Sequence, residues 1–149
     1  MRAITLLIIT LWVFSSPAQA DGPNRLMEQF RQALQQRDSA AVAALFAPDA
    51  RVKVTLLMEQ EAPMVVSLTR AEYLQQQRAL WNFASDYRFT VDDLETQKVE
   101  QGWRLTFDQK ERYQLFRDTL NRDNRITLQT EIRDGEHRIT AIHTRTRQW

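Results

Sequence analysis

The chain has no cysteine at all. That removes disulfides, a thiol nucleophile, any thiolate metal site and a lipidated N-terminal cysteine. It has only 3 glycines and 4 prolines in 149 residues, so turns are few and elements long. Two histidines make a His-rich zinc site a poor fit. Charge of one sign is missing too: 20 basic residues stand against 19 acidic ones. A nucleic-acid or anionic-membrane partner usually leaves a basic excess, and there is none. No Ser-His-Asp motif, Gly-rich phosphate loop or metal-ligand helix appears, so no cofactor or metal is expected.

What is present begins with a leader. Arg2 is a short positive start, and Ala3 to Phe14 is an apolar run too short to span a bilayer comfortably. Ala18-Gln19-Ala20 fits the small-x-small cleavage rule. We read residues 1–20 as a signal peptide cleaved after Ala20, and 21–149 as a single domain. The rival reading is a retained membrane anchor. Arg2 is the one charge in the leader, so the domain itself is electrically balanced. No later stretch could cross a membrane as an apolar helix. An exported chain without disulfides fits a bacterial periplasm best.

Leu26, Phe30, Ala33 and Leu34 form one stripe and predict a helix from Asn24 to Arg37. Asp38 can cap a second, shorter helix, which Pro48 should end. Ala50 to Met58 alternates as a half-buried strand, and Met64 to Leu68 is a short second one. Thr69-Arg70-Ala71-Glu72 is a capping box, opening a helix to about Phe83. Then come four strands: Tyr87 to Val99, Trp103 to Phe116, Arg125 to Arg133 and Glu136 to Arg147. Gly102 suits the first hairpin as its left-handed residue, and Asp134-Gly135 marks the second. The expected class is α+β: a strongly bent antiparallel sheet of about six strands, with three helices from the N-terminal half forming a cone.

That order, with "QALQQRDSAAVAALFAPDARVKV" (Gln32 to Val54) and the capped helix "TRAEYLQQQRALW", resembles the nuclear transport factor 2-like superfamily, also called SnoaL-like or cystatin-like. The resemblance implies a cone whose inner wall binds ligands. It spans most of residues 21–149. As a guide to function it is weak, because the fold hosts isomerases, dehydratases, cyclases, epoxide hydrolases and assembly modules.

The candidate residues are polar intruders on an inner face. A two-residue turn at Asp134-Gly135 pairs Arg133 with Glu136, Glu131 with Arg138 and Thr130 with Ile139. Continued, it pairs Leu128 with Ala141 and Ile126 with His143. His143 then faces inward, Arg145 and Arg147 share its face at the rim, and Ile142 is an exception on the polar side. On the preceding strand Trp103, Leu105 and Phe107 share a face with Gln109, Glu111, Tyr113 and Leu115. A carboxylate there must be paired or carry a raised pKa. Candidate ligand-binding residues are Tyr73, Trp81, Gln109, Glu111, Tyr113 and His143. Glu111, His143 and Tyr113 are the catalytic candidates, with Glu111 or His143 as base and Tyr113 as donor. The plainer reading makes His143 a hydrogen-bonded wall residue and Tyr73 and Trp81 core. Asp49 reads as a turn residue, although the resemblance puts an acidic catalytic residue near it in some enzymes. Asp92-Asp93 reads as a bulge or exposed bend.

Three functions are compatible with this. The first is a soluble periplasmic domain binding a small apolar ligand or a protein partner without defined catalysis. The second is a cofactor-independent acid/base enzyme using Glu111 and His143. The third is a domain of an envelope secretion or transport assembly. A homodimer through the outer sheet face would be a modest, hydrophilic contact, since Arg104, Thr106, Lys110, Arg112, Thr127, Gln129 and Glu131 line that face.

Overall fold

The computed structural model describes residues 22–149. The signal peptide expected over residues 1–20, with its cleavage site, lies outside the described residues. Helix α1 spans Gly22–Gln35 and α2 Ser39–Leu45. The strands are β1 (Phe46–Leu57), β2 (Met64–Thr69), β3 (Ala84–Val99), β4 (Gly102–Leu115), β5 (Asp118–Arg133) and β6 (Glu136–Gln148). Helix α3 (Arg70–Phe83) lies between β2 and β3. The strands make one sheet in the order β2-β1-β6-β5-β4-β3. Every neighbouring pair is antiparallel except β1 and β6, which are parallel. The class is α+β as expected, with that one parallel seam as a refinement.

The helices form where their caps and apolar stripes place them. Asp38 accepts from the Ala41 N–H at 3.0 Å and starts α2. The Thr69–Glu72 capping box closes in both directions, at 3.3 and 2.7 Å. Leu26, Phe30, Ala33 and Leu34 are buried against the sheet, as are Leu74 and Trp81 of α3. Phe107, Leu105 and Leu128, each with 0% exposure, sit on the facing side of β4 and β5. This helix-covered side is the inner face.

Pro48 does not end α2. The helix stops at Leu45, and Phe46 is already extended. Pro48 instead lies inside β1, where the register with β6 shifts between Phe46 and Arg51. A residue without an N–H is tolerated in a strand at such an irregularity. Strand β6 is irregular at the same level. Its pairing with β5 skips Thr140, from Thr130↔Ile139 to Gln129↔Ala141. Two neighbouring strands thus break alternation together, which bends the sheet at one place.

The two hairpins use their glycines differently. Asp134 and Gly135 both have positive φ, 52° and 78°, as a tight two-residue turn requires. Gly102 is not left-handed, contrary to expectation. A Cβ there would stand 2.0 Å from the Thr130 carbonyl oxygen. Close approach of the β5 backbone, not turn geometry, demands glycine at 102.

Candidate functional site

Strand β4 runs without a break along β5, from Gly102↔Glu131 to Leu115↔Asp118. Strict alternation therefore keeps Leu105, Phe107, Gln109, Glu111 and Tyr113 on one side, and all five are buried. Glu111 faces inward with 9% exposure. Its neighbours across the ladders are Phe89 on β3 and Arg122 on β5.

Tyr87 reaches Glu111 because it lies two residues before Phe89, on the same face of β3. Between Ser85 and Arg88 the register slips, and Asp86 takes φ 50°. Ala84 and Tyr87 can then both face inward although three residues apart. The Tyr87 hydroxyl donates to Glu111 Oε1. Gln109 Nε2 donates to the same oxygen at 3.3 Å, and Asn124 Nδ2 donates to Oε2 at 2.8 Å. Asn124 Oδ1 in turn accepts from the Thr146 hydroxyl at 2.8 Å. The carboxylate is thus held by three neutral donors, and Asn124 is itself held by Thr146.

This network forms part of the wall of a cavity of about 370 Å³ between α1, α3 and the inner face. Phe30, Leu34, Val54, Leu56, Val66, Leu68, Leu80, Ile126 and Ile142 make its apolar walls. Tyr73, Gln76, Gln77, Gln109, Glu111, Arg122, Asn124, Thr144 and Thr146 supply the polar ones. The Tyr73 ring rests on Phe46 with centroids 5.5 Å apart. Burial, and then the Glu111 charge, push the Tyr73 and Tyr87 phenols well above their ordinary value. Both stay protonated near neutrality, so neither acts as a base, and Tyr87 is a donor to Glu111. The Tyr113 phenol is raised as well, first by burial, with Arg122 pulling the other way.

His143 is elsewhere. The skipped Thr140 moves every later residue of β6 to the opposite face. Leu128 pairs with Ile142 and Thr127 with His143, not Leu128 with Ala141 and Ile126 with His143. The expectation of an inward His143 is therefore corrected, and Ile142, the apparent exception, is a core residue with 4% exposure. His143 is exposed on the uncovered face, with Nε2 3.3 Å from the Thr55 hydroxyl. It lies in a surface hollow with Arg51, Lys53, Ser67, Thr127 and Gln129. Arg145 and Arg147 follow it outward and do not continue the inner face. His143 and Glu111 are on opposite sides of the sheet and cannot form the pair first considered.

The structure brings Tyr73, Gln109 and Glu111 into the cavity wall. Trp81 and Tyr113 are buried but do not line it. The Tyr113 hydroxyl finds no partner among the described residues, so it is not placed as a donor into the cavity. Asp49 forms an exposed ion pair with Arg133 at 3.7 Å, away from the cavity. Asp93 has φ 53° inside the second β3 irregularity, between Asp92 and Glu95. Among the described residues no cluster of His, Asp and Glu could hold a metal ion.

No protein-family model and no curated protein matches this chain in sequence. Solved structures do. A hexachlorocyclohexane dehydrochlorinase, LinA-type3, from Novosphingobium barchaimii is 16% identical, covers 84% of each chain and gives a TM-score of 0.65. A nuclear transport factor 2-like protein from Cytophaga hutchinsonii is 13% identical, covers 85% of this chain and 97% of its own, and gives 0.66. A protein with a cystatin-like fold from Caulobacter vibrioides is 14% identical, covers 86% and 89%, and gives 0.63. The fold is that of the nuclear transport factor 2-like superfamily. At these identities the likeness reaches the fold and stops there.

Within this nuclear transport factor 2-like fold, several polar cavity or network residues escaped the sequence, among them Tyr87, Arg122, Asn124, Thr144 and Thr146. Asn124 and Arg122 precede the apparent start of their strand at Arg125, while β5 in fact begins at Asp118. Counting back by twos from Ile126 would have placed both on the inner face. Thr146 was hidden by the skipped Thr140.

Proposed function

We propose that the chain binds a small, largely apolar molecule in the cavity between α1, α3 and the inner face. The observation that carries this is the Glu111 carboxylate at the cavity wall, held by three neutral donors. Burying a carboxylate without a cation costs free energy, and three hydrogen bonds offset that cost only while its orientation is fixed. A cavity with apolar walls and polar groups fixed in place is the usual form of a small-molecule site. The leader pattern supports a site of action outside the cytoplasm, which N-terminal sequencing of periplasmic protein would test by finding Asp21 first.

The test is binding of an uncharged apolar fluorophore, N-phenyl-1-naphthylamine. Its emission should rise with the wild-type chain and fall to the free value with Leu56→Trp, which fills the cavity. Emission unchanged by that substitution would remove the cavity from the explanation.

A second reading is acid/base catalysis at Glu111. A carboxylate offers about four lone-pair sites, and three are taken, so one is left to accept a proton from a bound molecule. Several proteins of this fold carry enzyme names, among them the dehydrochlorinase above. With a turned-over substrate in hand, Glu111→Gln would keep binding and lose turnover. Loss of both together would favour a purely binding role.

A further inference from the structure

Of the residues that line the cavity, only two carry formal charge, Glu111 and Arg122. They stand directly opposite each other on β4 and β5, on the same face. Yet they form no ion pair among the described residues. Glu111 is occupied with Tyr87, Gln109 and Asn124. Arg122 is held from behind: its Nε donates to Gln148 Oε1 at 2.9 Å, and its guanidinium lies over the Tyr113 ring, 5.2 Å from the centroid. The stacking and the single Nε bond fix the plane of the guanidinium. Its terminal NH₂ groups take no part in a hydrogen bond among the described residues. A guanidinium oriented at a cavity wall with its fork open is a ready donor to an oxygen acceptor. Glu111, one strand away, keeps one acceptor site.

We propose that the ligand of this cavity is a neutral molecule whose head group accepts from Arg122 and donates to Glu111, such as a carboxamide or hydroxy-carbonyl group on an apolar body. The proposal rests on the cavity reading above and adds the charge class of the ligand. The wall is already neutral in sum. A ligand anion would gain Arg122 but sit beside the Glu111 carboxylate, and a ligand cation would face the reverse conflict. Like charges brought together beside a buried group are unfavourable. A head that is donor and acceptor at once meets both groups and adds no charge.

The test uses three probes of one shape: 2-naphthamide, 2-naphthoate and 2-naphthylmethylammonium, titrated calorimetrically. The wild-type chain should bind the amide at least about tenfold more tightly than either ion. Glu111→Gln should shift preference toward naphthoate, and Arg122→Gln toward the ammonium. Circular dichroism checks that each variant folds, and Arg122→Gln decides the matter if Glu111→Gln does not. Equal affinity for all three probes, with Leu56→Trp still abolishing binding, would overturn the charge assignment and leave the cavity reading intact. Binding that survives Leu56→Trp would overturn the cavity reading itself.

Discussion

Glu111 and His143 look alike in the sequence, each a polar residue interrupting an apolar alternation. The fold separates them completely. Glu111 stays on the inner face because β4 pairs with β5 without a break over its whole length. His143 crosses to the uncovered face because β6 skips Thr140. Alternation is reliable only as far as the ladder is regular, since a single inserted residue flips every side chain after it. The two faces then impose different physics. Inside, each polar atom must find a partner. Outside, Arg51, Lys53, Arg145 and Arg147 stand exposed in water, with no carboxylate within ion-pair reach among the described residues.

The strongest way to break this contrast is to reverse the faces of β6. Inserting one alanine between Ala141 and Ile142 would shift every later residue by one place against β5. His143, Arg145 and Arg147 would turn inward, and Ile142 and Thr146 outward. Exposing Ile142 alone forfeits about 1.5–3 kcal/mol, and two arginines would enter the core region unpaired. We expect a loss of at least about 4 kcal/mol, or no folding, by urea denaturation. An insertion variant of near wild-type stability would show that the faces of these residues are incidental.

Next comes the inner carboxylate itself. Glu111→Ala leaves Tyr87, Gln109 and Asn124 donating to nothing, inside the protein. Removing the shared acceptor should cost on the order of 3 kcal/mol, again by urea denaturation. Tyr87→Phe removes only one of the three donors and should cost about 1 kcal/mol.

Alkaline pH probes the inner face without mutation. An unfolded tyrosine ionises near pH 10. In the fold, burial and the Glu111 charge hold the Tyr87 phenol neutral far above that. Above pH 10 the unfolded chain loses a proton that the folded chain keeps, so stability must fall as pH rises. The contribution is complete below pH 10 and declines by about 1.4 kcal/mol per pH unit above it. Tyr87→Phe should make the measured slope shallower by that amount between pH 10 and 11.5. An unchanged slope would place Tyr87 in water.

These residues also show what the sequence could tell. Helices with a cap and an apolar stripe were legible, because both signals are local: Asp38, the Thr69–Glu72 box, and Leu26 with Phe30 and Leu34. The six strands were legible as a set. The first half of β5 was not, because residues 118–124 show no apolar alternation. That stretch forms polar cavity wall through Arg122 and Asn124, so the feature that makes it a site erases the pattern that would reveal a strand. Thr140 is unreadable for another reason. Its cause is partly in a neighbouring strand, where Pro48 sits in the matching irregularity of β1, and that neighbour is 92 positions away. Ile142, an isoleucine on an otherwise polar face, was the one visible sign.

The smallest expected effect completes the comparison. His143→Ala removes a ring that is exposed and touches the Thr55 hydroxyl at 3.3 Å. A hydrogen bond at the surface exchanges with water at little net gain, and no buried partner is orphaned by its loss. Substitutions of this kind stay within about 0.5 kcal/mol, and N-phenyl-1-naphthylamine binding should not change. The ring stands between Lys53 on β1 and Thr127 on β5, in line with both. Melting curves of His143→Ala and the wild type should therefore superimpose. A loss of fluorophore binding in His143→Ala would mean that the two faces communicate through the sheet, and that Glu111 and His143 are not separate.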